Sequence, residues 1–429
     1  MDVIIMGGGL VGASLAACLA RDPGVQITVV EKFAPPAADT DVHPSYDARN
    51  TALANGTCHI FQQLGLWPAM RAQAEPIQQI EITDQGGFGR ALIRAQEERV
   101  RALGYVIENR FIGQHLFAHL RQCPNVDYLA PAAIESLSYQ GECMQVGLQA
   151  DGRRRTLTTP LLVIADGAQS RGRELLGIES RVTPYDQVAL VTAVTPDRPH
   201  HNLALERFTA SGPLAVLPQT DNRWGITWCL APARAEALMA ADDRDFMAAL
   251  EQAAGPAVGR LTRVGKRVTY PLALTLAREQ VRPNAVVLGN AAHGLHPVAG
   301  QGFNMAMRDV AVLVQTLFGA AEGKASWGQL SLLQSYLQRR GTDQLNTIQF
   351  SDKLTRLFSN RNPLLGLARN SGLLLFDTLQ GTKRFVARHA MGRAVSTRLP
   401  EALSVPGAPG ASGAPSAYEA PSSAENLSS

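Results

Sequence analysis

Two glycine-punctuated turns carry the residues best suited to chemistry. The first, Gly7-x-Gly9-x-x-Gly12, follows the apolar run Val3-Ile4-Ile5-Met6. A glycine at the first position allows a tight turn, one at the second lets a pyrophosphate reach the backbone, and one at the third lets helix and strand pack closely. The helix that follows offers unpaired N–H groups and a partial positive charge to phosphates. An acid, Glu31, stands about 20 residues further on at the end of the next apolar run, where a carboxylate accepts hydrogen bonds from ribose hydroxyls.

The second turn lies near residue 300. Val287-Leu288 reads as strand, Gly289-Asn290 as a turn, and the stretch from Pro297 through Gly300, Gln301 and Gly302 as a loop that ends where a helix begins. Phe303, Met307, Val310 and Val314 share one face of that helix, and its first N–H groups suit negative charge on a bound ring. Two such turns, far apart in the chain, predict one extended ligand held along its length. Between them, Asp166-Gly167 ends a strand; alone it reads as an ordinary turn. Arg49 offers a guanidinium to a phosphate. His293 and His296 stand on the glycine loop with no third ligand near, so a structural or hydrogen-bonding role suits them better than a metal.

The elements that must position these residues follow from periodicity and punctuation. Residues 3–6, 10–21 and 26–30 form a strand, a helix and a strand, a βαβ unit. Residues 33–45 read as loop, 51–64 as helix, 79–83 and 106–108 as strands, 114–121 as helix and 156–165 as one strand. From 181 to 276 short strands alternate with turn signals, which predicts a second, largely antiparallel sheet. Residues 302–398 read as mostly helical. Beyond Leu399 the chain is rich in Pro, Gly, Ala and Ser and lacks Lys and Arg, which predicts a disordered tail.

With 429 residues, 45% of them apolar, the chain can build two or more lobes. A formal net charge of +3 without a basic, aromatic-interleaved block argues against a nucleic-acid partner. The five cysteines are scattered without CxxC spacing, as in a reducing compartment with neither disulfides nor zinc. The first strand begins at once, so no signal peptide is expected. No apolar run approaches the roughly 18 residues of a membrane span. The expected location is cytoplasmic. The basic stretch Lys383, Arg384, Arg388, Arg393 and Arg398 offers peripheral contact with the inner face of the membrane, or a surface for a partner, against the alternative of a solvated helix face.

These motifs, in this order, resemble the FAD-dependent aromatic hydroxylases, the single-component flavoprotein monooxygenases. The resemblance implies that Gly7, Gly9, Gly12 and Glu31 hold the adenosine half of FAD, that Arg49 meets its pyrophosphate, and that Asp166 and Gly167 serve both FAD and NAD(P)H. Gly289 and Asn290 fall where the family has Gly-Asp, whose acid binds the ribitol; the Asn290 carbonyl oxygen can still accept. Pro297, Gly300, Gln301, Gly302 and Asn304 match the loop beside the isoalloxazine. The stretches Asp47-Ala48-Arg49-Asn50-Thr51-Ala52-Leu53, Leu64-Gly65-Leu66-Trp67 and Gly212-Pro213-Leu214-Ala215-Val216-Leu217-Pro218 resemble the ubiquinone-biosynthesis subgroup.

The implied fold is α/β: a Rossmann-like FAD-binding domain (1–75, 100–178 and 277–320), an inserted antiparallel-sheet substrate domain (76–99 and 179–276), a C-terminal helical region (321–399) and the tail (400–429). The implied reaction is hydroxylation of a polyprenyl phenol, foremost 2-polyprenyl-6-methoxyphenol, with NAD(P)H and O2, through a flavin hydroperoxide. The cofactor carries the hard chemistry, and the protein positions the reactants and excludes water. Pro297 and His296 are the residues to consider beside the flavin ring; neither is assigned a catalytic role. Association with other ubiquinone-biosynthesis proteins, or between copies of the chain, is compatible with this reading. Alternatives left open are action at another ring carbon or on a soluble phenol, a non-catalytic flavin-holding scaffold, and an NAD-dependent dehydrogenase.

Overall fold

A computed structural model describes residues 1–34, 49–87, 89–297, 300–358, 391 and 396–400. The expected tail beyond residue 400, most of the 33–45 loop, and Lys383, Arg384, Arg388 and Arg393 of the basic stretch lie outside the described residues.

The apolar strand Val3–Met6 is the centre of a six-stranded sheet, with parallel neighbours Leu161–Ile164 and Ile27–Val30. Val126–Leu129 and Ala285–Val287 extend it in parallel, and the short strand Val281–Arg282 closes one edge antiparallel. The central strands are buried on both faces, as their continuous apolar sequences require. Their side chains alternate between two cores. Val3, Ile5, Ile27, Val29, Leu161 and Val163 pack with the helices Leu10–Leu19, Asn109–Leu120 and Gln301–Phe318. Ile4, Met6, Val30, Leu162 and Ile164 pack with Ile134, Met144, Val146 and Leu148 of a three-stranded antiparallel sheet, 132–159.

A nine-stranded sheet faces the open end of the parallel one. It is built on the strands Ser180–Pro196, Val268–Ala277, Arg223–Leu230, Gly212–Gln219 and Leu203–Thr209, all antiparallel to their neighbours within this group. Gln79–Asp84 joins it parallel to Leu203–Thr209, and Arg90–Arg94 follows. The second, antiparallel sheet read from the sequence is therefore present, and the strand at 79–83 belongs to it. Two helices, Pro232–Ala240 and Asp243–Ala254, cover its outer face around Trp224, Trp228 and Phe246.

Three local readings need correction. Residues 51–64 are not one helix: Asn50–Ala54 is a strand paired to Gly104–Glu108, and the helix is Asn55–Gln63. Pairing with a neighbouring strand overrides the local pattern there. Residues 156–165 are two strands, Arg153–Thr159 and Leu161–Ile164, because Pro160 lacks the N–H that a continuous ladder needs. The helix expected at 114–121 starts earlier, at Asn109.

The helix Gln301–Phe318 is clamped against Leu330–Phe358 by buried charges. Asp309 and Arg340 are fully buried, with Arg340 Nε 2.6 Å from Asp309 Oδ1. Gln344 donates to the same oxygen at 2.9 Å, and His293 Nε2 lies 3.1 Å from Asp309 Oδ2. Asp343 Oδ2 receives both Arg340 Nη2 at 2.6 Å and Arg308 Nε at 2.9 Å. Burial alone would raise the Asp309 carboxyl, but His293, Arg340 and Gln344 hold it below the usual carboxylate range.

Arg340→Met should therefore cost about 3–5 kcal/mol, because it leaves Asp309 buried and uncompensated, whereas Asp309→Leu/Arg340→Met should recover most of that loss. The depressed Asp309 contributes stability above its unfolded value of about 3.9, lost as pH falls through the folded value. Acidification should thus erode the wild type more than the double variant. Urea unfolding at several pH values tests both points, and a cost below about 1 kcal/mol for Arg340→Met would remove the clamp from the account.

Candidate functional site

The first glycine turn is shaped by close approach. Gly7 has φ +103°, and a Cβ there would lie 2.6 Å from the Ala165 carbonyl oxygen. A Cβ at Gly12 would lie 1.9 Å from the Gly7 oxygen, so helix Leu10–Leu19 can sit on its strand only without one. Glu31, at the end of the next strand, takes the Gly8 N–H on Oε2 at 2.7 Å and the Phe33 N–H on Oε1 at 2.9 Å. Its carboxylate therefore builds the turn as well as standing at its edge.

Asp166 and Gly167 follow the neighbouring strand, with Gly167 at φ +91°. Asp166 Oδ2 accepts the Gly172 N–H at 2.9 Å, while Oδ1 is buried without a hydrogen-bond partner among the described residues. Burial raises this carboxyl, and the Ser170 side chain and nearby N–H groups pull it back. A buried acceptor facing a cavity suits a ligand hydroxyl. The Arg49 guanidinium lies over the Tyr270 ring at 4.8 Å, which holds it at the cavity wall. Gly289, at φ +61°, turns the chain so that Asn290 is exposed.

Near residue 300 the chain turns at Gly300, φ 57° and ψ 31°, whose N–H donates to the Pro297 oxygen at 3.0 Å. Helix Gln301–Phe318 starts there with no acid in its first turn. Asn304 is buried, and its carboxamide is fully engaged within the protein. Its oxygen accepts from the Ala54 N–H and the Thr57 hydroxyl, both at 2.8 Å, and its Nδ2 donates to the oxygens of Ala52 at 2.8 Å and Gly300 at 2.9 Å. Asn304 thus holds the loop in place.

His296 is buried edge-on to Tyr185, ring centroids 5.0 Å apart, and the Tyr185 hydroxyl donates to Asp352 Oδ1 at 3.1 Å. Burial pushes His296 down to about 4, with the Asp352 charge pulling the other way, so the imidazole is neutral at pH 7 and a weak base. His293 instead faces Asp309, in the clamp described above.

One cavity of about 1680 Å³ joins these places. Gly7, Gly9, Glu31, Arg49, Asp166, Gly167, Asn290, His296, Pro297, Gly300, Gln301, Gly302 and Asn304 all line it; Gly12 and Gly289 lie behind the wall and shape it. Its opposite wall is the inner face of the nine-stranded sheet, with Ile80, Ile82, Ala204, Leu217 and Thr227. Sequence reading missed Glu206 on that wall, and the Arg308 and Asp343 pair at its edge. For Glu206 a signal existed: Ala204, Glu206 and Phe208 fall on one side of a strand by period two. For Asp343 the only local signal was Arg340 three residues earlier, since its other partner, Arg308, comes from another helix.

A glycine turn at the first parallel strand, an unused buried acceptor beside it and a cavity larger than the roughly 300–1,000 Å³ of ordinary ligand sites fit an extended dinucleotide with room for a second molecule. This fold and site define a flavoprotein aromatic hydroxylase. The chain belongs to the FAD binding domain family, whose model matches residues 1–351. It is 37% identical to the ubiquinone hydroxylase UbiL of Rhodospirillum rubrum over 391 residues, which cover 91% of this chain and 89% of that protein. It is 29% identical over 392 residues to the 3-demethoxyubiquinol 3-hydroxylase of Escherichia coli, covering 91% and 98%. The p-nitrophenol 4-monooxygenase PnpA of Pseudomonas putida has the same fold, with a TM-score of 0.75 at 18% identity over 92% of this chain and 98% of that one. The ubiquinone-biosynthesis subgroup that the motifs resemble is borne out.

Gly12→Val should yield a folded protein without flavin, because the added side chain forces helix and turn apart. The ratio of flavin to protein absorbance after purification measures this; a stoichiometric yellow variant would contradict the packing argument.

Proposed function

We propose that this protein hydroxylates the aromatic ring of a polyprenyl phenol in ubiquinone biosynthesis, using FAD, NAD(P)H and O2. The observation that carries the reading is the single cavity running from the nucleotide turn to an apolar sheet face. When bound, FAD takes electrons from NAD(P)H and makes O2 reactive toward an electron-rich ring. The chain's own residues do the rest. The turn at Gly7 and Gly9 receives the pyrophosphate on backbone N–H groups, with Arg49 as counter-charge. Asp166 Oδ1 and Asn290 accept from ligand hydroxyls. The N-terminus of helix Gln301–Phe318 favours negative charge at the ring end of the site.

Ile80, Ile82, Ile93, Leu103, Ala204 and Leu217 give the substrate side an apolar lining that excludes water and suits a prenyl chain. His296, neutral at pH 7, offers hydrogen bonds rather than a strong base. The segments of the parallel sheet form the cofactor domain in this reading, and the nine-stranded sheet forms the substrate domain. A single dinucleotide fold among the described residues fits transient docking of NAD(P)H. No described helix is long and apolar enough to cross a membrane.

Reconstituted protein should oxidise NAD(P)H faster with a prenylated 2-methoxyphenol, and mass spectrometry should find one oxygen from labelled O2 in the product. Bound flavin without substrate-stimulated oxidation would favour a scaffold instead, and NMR of the product fixes the ring carbon. Leu217→Trp should raise KM for a long-chain substrate about tenfold by overfilling the apolar wall, while a singly prenylated one changes little. Equal effects on both chain lengths would place the prenyl group elsewhere.

A further inference from the structure

The cavity wall is not uniform in charge. Glu31, Lys32, Asp166 and Arg171 cluster at the nucleotide end. Arg308 and Asp343 are paired with each other, and Arg49 is stacked on Tyr270. The strands of the nine-stranded sheet contribute Ile80, Ile82, Ile93, Ala204, Leu205, Phe208, Ala215, Leu217, Thr227 and, among the described residues, one ionisable side chain: Glu206.

Pairing fixes where that side chain stands. Glu206 lies opposite Ile82 on one neighbour and Ala215 on the other, and Ala215 lies opposite Thr227. Cross-strand partners on one face have Cβ atoms about 4.5–5.5 Å apart, so Ile82, Glu206, Ala215 and Thr227 form one row along the wall. Glu206 is half-buried and its Oε1 is shielded from solvent. Its charge reaches the Cys229 thiol, which burial pushes up and Glu206 pushes further. Glu81, by contrast, pairs opposite Leu205 on the outer face and bridges Arg90 at 2.6 Å. Of these two acids, Glu81 is committed to an ion pair on the outer face and Glu206 stands on the cavity face.

We infer that Glu206 accepts the hydrogen bond of the substrate's phenolic hydroxyl and so sets which ring carbon faces the cofactor end of the cavity. This rests on the hydroxylase reading above. A carboxylate on a central strand is held by the ladder on both sides, as a positioning group requires. A charge-assisted O–H···O⁻ bond is stronger than a neutral one and draws electron density toward the ring that must be electron-rich to react. Small neighbours, Ala204 and Ala215, leave room for a flat ring beside it.

The test compares the holoenzyme with Glu206→Gln, Glu206→Leu and Glu206→Asp, and with Glu81→Gln as a control. The probes are a prenylated 2-methoxyphenol and its O-methyl ether, which lacks the donor. Binding is read from the perturbation of the flavin spectrum, and turnover from KM, kcat, product regiochemistry and hydrogen peroxide released. The wild type should prefer the phenol to the ether. Glu206→Leu should lose that preference, with the phenol Kd and KM rising about tenfold or more, mixed or missing hydroxylated product, and more peroxide. Glu206→Gln should fall between, and Glu81→Gln should match wild type. Should Glu206→Leu fail to hold FAD, Glu206→Asp and Glu206→Gln carry the comparison. Variants that keep the phenol preference and regiochemistry within twofold would overturn the inference while leaving the hydroxylase intact. A wild type that neither binds nor oxidises either probe would instead sink the proposed function.

Discussion

The carboxamide of Asn304 locks the parts of this molecule together. An amide has two acceptor lone pairs and two donor hydrogens, and all four are used on Ala52, Ala54, Thr57 and Gly300. Those partners belong to a strand, a helix and a loop, and Ala54 stands 250 residues from Asn304 along the chain. Loss of the amide would leave buried backbone groups unpaired on every side, which is costlier than any one bond is worth. With the rivet in place, the loop at Gly300 is fixed against the strand Asn50–Ala54 and the helix Asn55–Gln63, at the wall of the cavity. The buried Asp309–Arg340 pair repeats the device one turn further along the same helix. Rigidity at this end of the cavity is thus built in two layers, one of neutral hydrogen bonds and one of charge.

Legibility in the sequence followed the range of the interactions. The turns at Gly7 and Gly300 were readable because a glycine requirement is local: it arises from φ above zero or from backbone contact within a few residues. The βαβ unit and the antiparallel sheet were readable because burial on two faces or one leaves its own periodicity. The strand Asn50–Ala54 was not, since its partner Gly104–Glu108 lies far along the chain and its own residues also suit a helix. The break at Pro160 was signalled and passed over. The helices Pro232–Ala240 and Asp243–Ala254 carried ordinary start signals, Pro232 in the first turn and an Asp242 side chain accepting the Asp245 N–H. They were lost among the turn residues between strands. The clamp of His293, Asp309, Arg340 and Asp343 left only the three-residue spacing of Arg340 and Asp343 as a local trace, because His293 and Asp309 are brought beside those charges by folding.

In the proposed reading, the two ends of the cavity recognise their guests by different means. At the nucleotide end the working groups are mostly backbone: N–H groups of the first turn, the start of a helix, and glycines that keep side chains out of the way. Such a site needs a few fixed residue types and is indifferent to most of the rest. The same fold is found in a p-nitrophenol monooxygenase at 18% identity. At the sheet end the working groups are side chains on alternate positions of strands, and each can be exchanged without disturbing the ladder that carries it. Cofactor binding and substrate choice are therefore separable in this fold.

That separation also bears on water. A reactive oxygen species next to a ring must meet the ring before it meets solvent, and a wall of Ile, Leu and Ala provides that by offering water no partners. A wholly apolar wall, however, cannot tell one edge of a phenol from another, since hydrophobic contact has no direction. One carboxylate placed among those side chains supplies the direction. A hydroxyl on the guest can donate to that carboxylate, and a methyl ether cannot. Orientation of the ring and dryness of the site are then served by the same strand, through Glu206 and through Ala204 and Phe208 beside it.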